Sequence, residues 1–178
     1  MSQVHFAKMP SISIPRTKMK IPFTHKLSFN FSKIIPVMCK EILPGDTFRI
    51  DFAALIRMST PIAPIMDNVR GSLHAFYVPM RLLWEHTEEF YGANKTSAGP
   101  QLTPYTIPSV YFATTAATRP VVGSVSDYLG KPVLASNLAN GPMVSVLKER
   151  AYWLIVNEWY RAQQVQNPII VSKGDTIR

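Results

Sequence analysis

The sequence predicts a mainly β scaffold with long helix- and loop-containing insertions, and three observations carry that expectation. Apolar and polar side chains alternate with a period of two over Leu27–Ser32, Thr47–Arg57 and Val69–Val78, the pattern of half-buried strands. Fifteen prolines in 178 residues remove backbone donors throughout, which favours extended and looping chain over long helices. No set of residues stands at catalytic spacing in the central stretch Pro44–Gly92, which holds two of the strands, a proline-punctuated crossover and a helix.

Length and composition fit one domain with a core, in three parts: an extended basic arm over 1–25, strands and a first helix over 26–92, and a loop and helix insertion over 93–178. The net charge of +8 is concentrated in the first part of the chain. Residues 1–40 carry seven basic side chains and no acidic one, whereas the remaining 138 carry twelve basic and eleven acidic groups. A nearly neutral body therefore bears a basic arm. Lys8, Arg16, Lys18 and Lys20 are its candidate contacts to nucleic-acid phosphate, although Pro-rich basic arms also drape over neighbouring subunits.

No charged region followed by an apolar core opens the sequence, so no secretory signal is expected. The longest uncharged run, Thr96–Thr118, contains Pro100, Pro104 and Pro108, which makes it a loop and not a membrane span. The single cysteine, Cys39, suits a reducing compartment and is expected as a buried structural thiol in an apolar strand.

Taken in order, Leu27, Phe29 and Phe31 face one side of the first strand, and Pro36 interrupts the apolar run that follows. Pro44-Gly45-Asp46 supplies a turn. Phe48, Ile50 and Phe52 line one face of the next strand, and Pro61 and Pro64 enforce a crossover to Val69–Val78. Pro79 ends that strand. A helix is expected over Arg81–Tyr91, with Leu82, Leu83, His86 and Phe90 near one face, and Gly92 ends it. Within 93–141 the sequence predicts a short strand at Val110–Phe112 and a helical turn at Asp127–Pro132. A second helix is expected from Pro142 to Gln164, packed along Leu147, Ala151, Leu154, Ile155, Trp159 and Ala162. The segment from Asn167 onward starts another strand.

Candidate chemistry falls away on inspection. Gly123 and Gly130-Lys131 are spaced too widely for a phosphate-binding loop, and Pro132 stands where a magnesium-binding hydroxyl is required. His86 and Glu89 supply two metal-ligand types at helical spacing without a third. Asp46 belongs to a turn and Asp51 to a strand face, an arrangement unlike an acid–base pair. Trp153, Trp159 and Tyr160 are candidates for the core or a subunit interface. The sequence therefore predicts no enzyme, no cofactor and no metal.

Five segments together resemble the major capsid protein of microviruses, the small icosahedral single-stranded DNA phages, and more closely the gokushovirus branch. They are VMCKEILPGDTF at 37–48, APIM at 63–66, FYVPMRLLW at 76–84, DYLGKP at 127–132 and RAYWLIVNEWYR at 150–161. Their order and spacing carry the resemblance over nearly the whole chain from about residue 25. It implies a viral jelly roll, an antiparallel β-sandwich with long insertions, assembled with copies of itself into a T=1 shell around circular single-stranded DNA. It further implies other virion or scaffolding proteins as partners, no membrane, and assembly in the cytoplasm of a bacterial host. Such capsid proteins run to several hundred residues, so the chain is expected to be an N-terminal portion with an incomplete roll.

Two other classes fit less well. A basic nucleic-acid-binding protein of the bacterial cytoplasm would carry its charge on the folded body. A hydrolase on a jelly-roll scaffold would need clustered histidines and carboxylates, whereas the four histidines are scattered.

Overall fold

The computed structural model describes residues 15–92, 105–111, 120–133 and 143–175. Most of the described residues belong to no helix or strand. Among the described residues helix is confined to short pieces: a 3₁₀ turn at Met80–Leu82, α1 at Thr87–Phe90, α2 at Val125–Tyr128, and α3 at Leu147–Ile155, which runs on into a π turn at Val156–Tyr160. The one sheet among the described residues pairs β1, Ser109–Tyr111, antiparallel to β2, Met143–Ser145, with Val110 opposite Val144.

The strand expected at Val110–Phe112 is present, one residue earlier; Phe112 lies outside the described residues. The turn expected at Asp127–Pro132 overlaps α2, which begins two residues earlier at Val125 and ends at Tyr128. Ser124 Oγ accepts the Asp127 N–H at 3.3 Å, and the Asp127 carboxylate accepts the Gly123 N–H at 2.8 Å, so orphan donors at the helix start are satisfied from both sides. Gly130 then takes φ +83°, which lets the Lys131 N–H close back on Ser126 O at 3.0 Å.

Other expectations are corrected. Leu27–Ser32, Thr47–Arg57, Val69–Val78 and the segment from Asn167 belong to no helix or ladder among the described residues, and Phe31–Ser32 form a turn with Ser32 at φ +61°. Alternation marks which side chains share a face, and a ladder also needs a strand alongside. Phe29, Phe31, Phe48, Ile50 and Phe52 are exposed instead of half-buried. Cys39 is likewise exposed, because the segment around it packs against too little to enclose it. Desolvation still pushes its thiol above the ordinary value, which makes it a weak nucleophile.

The helix expected over Arg81–Tyr91 is broken into the 3₁₀ turn and α1. At the break the Glu85 N–H leaves the helical ladder and donates to Lys173 O at 3.1 Å. The helix expected over Pro142–Gln164 starts later, because Met143–Ser145 is committed to β2 and Ser145 Oγ accepts the Leu147 N–H at 3.3 Å. Pro142 lies outside the described residues. The helix also ends sooner, where the Arg161 N–H reaches back five residues to Val156 O at 2.9 Å and Arg161 itself turns extended.

The expected apolar stripe is not the buried one. The side chains most enclosed on α3 and its extensions are Val146, Arg150 and Asn157, at spacings of four and seven, whereas Trp159 is 72 % exposed. Among the described residues the buried set joins Leu83, Trp84, Val146, Pro108 and Pro120 to four polar side chains, Thr87, Lys131, Arg150 and Asn157. A centre this polar holds only if each polar group finds a partner.

Candidate assembly surface and the clamp behind it

Arg150 is the junction of that centre. Its Nη1 donates to Leu83 O at 3.0 Å and its Nη2 to Gly174 O at 2.8 Å, so one planar guanidinium ties α3 to the 3₁₀ turn and to the segment 171–175. Burial lowers its pKa, opposed by Asp175 and Glu85, and a guanidinium so placed remains charged.

Trp84, wholly buried, lies beside it. The indole Nε1 donates to Asp175 Oδ1 at 2.6 Å, and the Thr87 hydroxyl donates to Trp84 O at 2.7 Å. The ring of Phe90 lies 5.4 Å from the Trp84 ring. Three contacts, from Trp84, Arg150 and the Glu85 N–H, therefore fasten residues 173–175 to the turn at 83–87.

Two further fastenings extend the clamp. Lys131 Nζ, 3 % exposed, lies 2.7 Å from Glu149 Oε2, and the Ser126 hydroxyl donates to the other Glu149 oxygen, joining α2 to α3. Asn157 grips the returning chain through both ends of its amide, Nδ2 donating to Ile169 O at 2.7 Å and Oδ1 accepting the Ile169 N–H at 2.9 Å. The N-terminal extended segment is tied on by single bonds, from Tyr128 OH to Ser28 O at 2.8 Å and from Tyr152 OH to Ile34 O at 2.9 Å. None of these acceptors can be read from the sequence, since most are main-chain carbonyls distant along the chain.

A second set of contacts is aromatic and includes exposed rings. Phe76 meets Trp159 at 5.5 Å and Tyr160 at 6.1 Å between ring centroids, and His74 meets Tyr160 at 6.0 Å. The structure thus brings together two of the three aromatic candidates, Trp159 and Tyr160, with two rings from the segment 69–78. Trp153 stands apart, half-buried, with its ring 4.9 Å from Tyr152. Leu55, Ile62, Met66 and Leu73 extend the exposed apolar set. Arg16, Lys18 and Lys20 are exposed and lie outside any helix or strand, and Lys8 lies outside the described residues. Unpaired extended backbone with exposed apolar side chains is suited to pairing with further strands.

His86 makes its hydrogen bond to Glu89, Nδ1 to Oε2 at 2.6 Å, and stacks on Tyr105 at 4.3 Å. Among the described residues no group of three His, Cys, Asp or Glu side chains is arranged to hold a metal. No helix among them is long and apolar enough to cross a membrane.

The family model of the phage capsid protein known as F protein matches residues 7–178. The chain belongs to this phage capsid protein family. Relatives of this capsid family agree with the match. Capsid protein VP1 of Bdellovibrio phage phiMH2K is 35 % identical over 178 residues, covering 98 % of this chain and 31 % of the relative. Capsid protein VP1 of Chlamydia phage 1 is 34 % identical, covering 96 % of this chain and 28 % of the relative. Capsid protein VP1 of Spiroplasma virus 4 is 31 % identical over 167 residues, covering 93 % of this chain and 29 % of the relative. The chain thus spans about a third of the length of these capsid relatives. The resemblance carried by the five sequence segments and the match to the capsid family point the same way.

Proposed function

We propose that this chain is a structural part of a major capsid subunit that self-assembles into a T=1 icosahedral shell around a circular single-stranded DNA genome, with no catalytic role. The match to the capsid family over residues 7–178 carries this reading. The exposed, unpaired and alternating stretches at 27–32, 47–57 and 69–78 support it, because a jelly roll would give them ladder partners in the assembled subunit. On this reading the protein resides in the virion, is assembled in the bacterial cytoplasm, and meets other virion or scaffolding proteins there. The basic arm lies on the inner face, where Lys8, Arg16, Lys18 and Lys20 neutralise phosphate.

Trp153, Trp159 and Tyr160 are the interface candidates. Trp159 is the most telling of them, because a tryptophan 72 % exposed beside Phe76 and Tyr160 offers a large apolar face to a neighbouring subunit. Trp159→Ala is expected to lower particle yield and heat resistance while leaving the subunit folded, as checked by gradient sedimentation and circular dichroism. Normal yield and normal heat resistance would remove Trp159 from the interface.

A further inference from the structure

The contacts that fasten residues 173–175 to the turn at 83–87 lie beside one titratable side chain, His86, whose Nε2 is 3.8 Å from Asp175 Oδ2. His86 is 27 % exposed at its side chain, and its two ring nitrogens face different neighbours. Nδ1 lies 2.6 Å from Glu89 Oε2 on α1, while Nε2 lies 3.5 Å from Glu85 Oε1 and 3.8 Å from Asp175 Oδ2. The Tyr105 ring covers one face of the imidazole, and the edge of Trp84 lies 6.4 Å away between centroids. From α3 the cluster receives the Arg150 guanidinium, which is spent on the carbonyls of Leu83 and Gly174. Three carboxylates, Glu85, Glu89 and Asp175, thus surround the imidazole with Arg150 as the other cation close by.

We propose that His86 is a proton-operated latch, which holds the segment 171–175 against the 83–89 turn when doubly protonated and releases it when the imidazole becomes neutral. The geometry decides which proton is lost. Nδ1–H is retained by its short bond to Glu89, so the proton leaves from Nε2. The bare Nε2 lone pair then faces the carboxylates of Glu85 and Asp175, replacing attraction by repulsion. Asp175 is also the acceptor of the Trp84 indole, and its neighbour Gly174 is the acceptor of Arg150, so displacement of Asp175 loosens the whole fastening. Loss of the attraction is transmitted to the hydrogen bond from Glu85 N–H to Lys173 O.

The sign follows from the direction of the His86 shift. Its pKa is raised, chiefly by the hydrogen bond to Glu89, with smaller contributions from Asp175, Glu89 and Glu85 and a lowering by desolvation. The stabilisation is therefore fully present below the ordinary imidazole value of about 6.5 and is lost as pH rises through the raised one. The latch is closed in mild acid and open in alkali.

Nuclear magnetic resonance on the 178-residue chain tests this directly. Each histidine ring is titrated individually, and amide exchange protection of Glu85 and Ile169 is measured across the same pH range after correction for intrinsic exchange. Ile169, held by Asn157, is the internal reference. Glu85 protection is expected to fall several-fold through the His86 titration while Ile169 protection stays constant, and His86→Gln is expected to flatten the Glu85 profile. Equal losses at both amides, no loss at Glu85, or an unchanged profile in His86→Gln would each overturn the latch. Should His86→Gln fail to fold, the wild-type comparison of the two amides decides alone.

Discussion

Replacing Arg150 with alanine lowers the stability of the chain by about 3–5 kcal/mol, through loss of two charged hydrogen bonds that leaves one buried and one part-buried carbonyl unpaired. The carbonyls are those of Leu83 and Gly174, and nothing else described on α3 reaches both. Arg150→Lys should recover only a minor part, because an ammonium on a single stem cannot span two acceptors as a planar fork does. Urea denaturation of wild type and the two variants measures the differences. A loss below about 1 kcal/mol for the alanine variant would mean that water or a neighbouring side chain replaces the guanidinium, and that Arg150 is not the junction.

Trp84→Ala is expected to be similarly severe, at about 3–5 kcal/mol, because it empties the site of a large, wholly buried ring. Trp84→Phe separates the two parts of that effect. It keeps most of the volume but removes the indole donor from Asp175, so a loss of about 1–3 kcal/mol is expected from the hydrogen bond alone. Thermal unfolding followed by near-ultraviolet circular dichroism reads both variants. If Trp84→Phe were as damaging as Trp84→Ala, the hydrogen bond to Asp175 and not the packing would dominate. If it were neutral, the contact between 84 and 175 would contribute nothing to the clamp.

The parts of the fold that were legible in the sequence are those fixed by neighbours along the chain. Asp127 and Gly130 lie in α2 and its exit, where the sequence placed a helical turn, and Val110 sits in a strand where its β-branched, aromatic setting placed one. The alternating stretches 27–32, 47–57 and 69–78 lie outside any helix but form no ladder among the described residues, and the first of them ends in a turn at 31–32. Whether such chain becomes sheet depends on a second strand, and no local pattern specifies that.

The clamp was illegible for the same reason. Periodicity on α3 selected the apolar residues and passed over Arg150 and Asn157, which share the face of Val146 at steps of four and seven. Their partners are Leu83, Ile169 and Gly174, and a main-chain carbonyl has no sequence signature. The break after Leu83 was hidden likewise, since the Glu85 N–H is drawn away by Lys173. Of the functional candidates, the structure joins Trp159 and Tyr160 through Phe76 and His74, a pairing that required knowing that 74–76 passes beside the π turn.

The capsid reading is tested most directly by sedimenting the longest native polypeptide that contains this sequence, with absorbance recorded at 260 and 280 nm across the gradient. Fast, homogeneous particles carrying nucleic acid are predicted, and replacing Lys8, Arg16, Lys18 and Lys20 together with serine should lower their 260 to 280 nm ratio or their stability. A slow, nucleic-acid-free monomer from the native polypeptide would contradict the account, and particles of unchanged ratio and stability in the fourfold variant would take the arm away from the DNA.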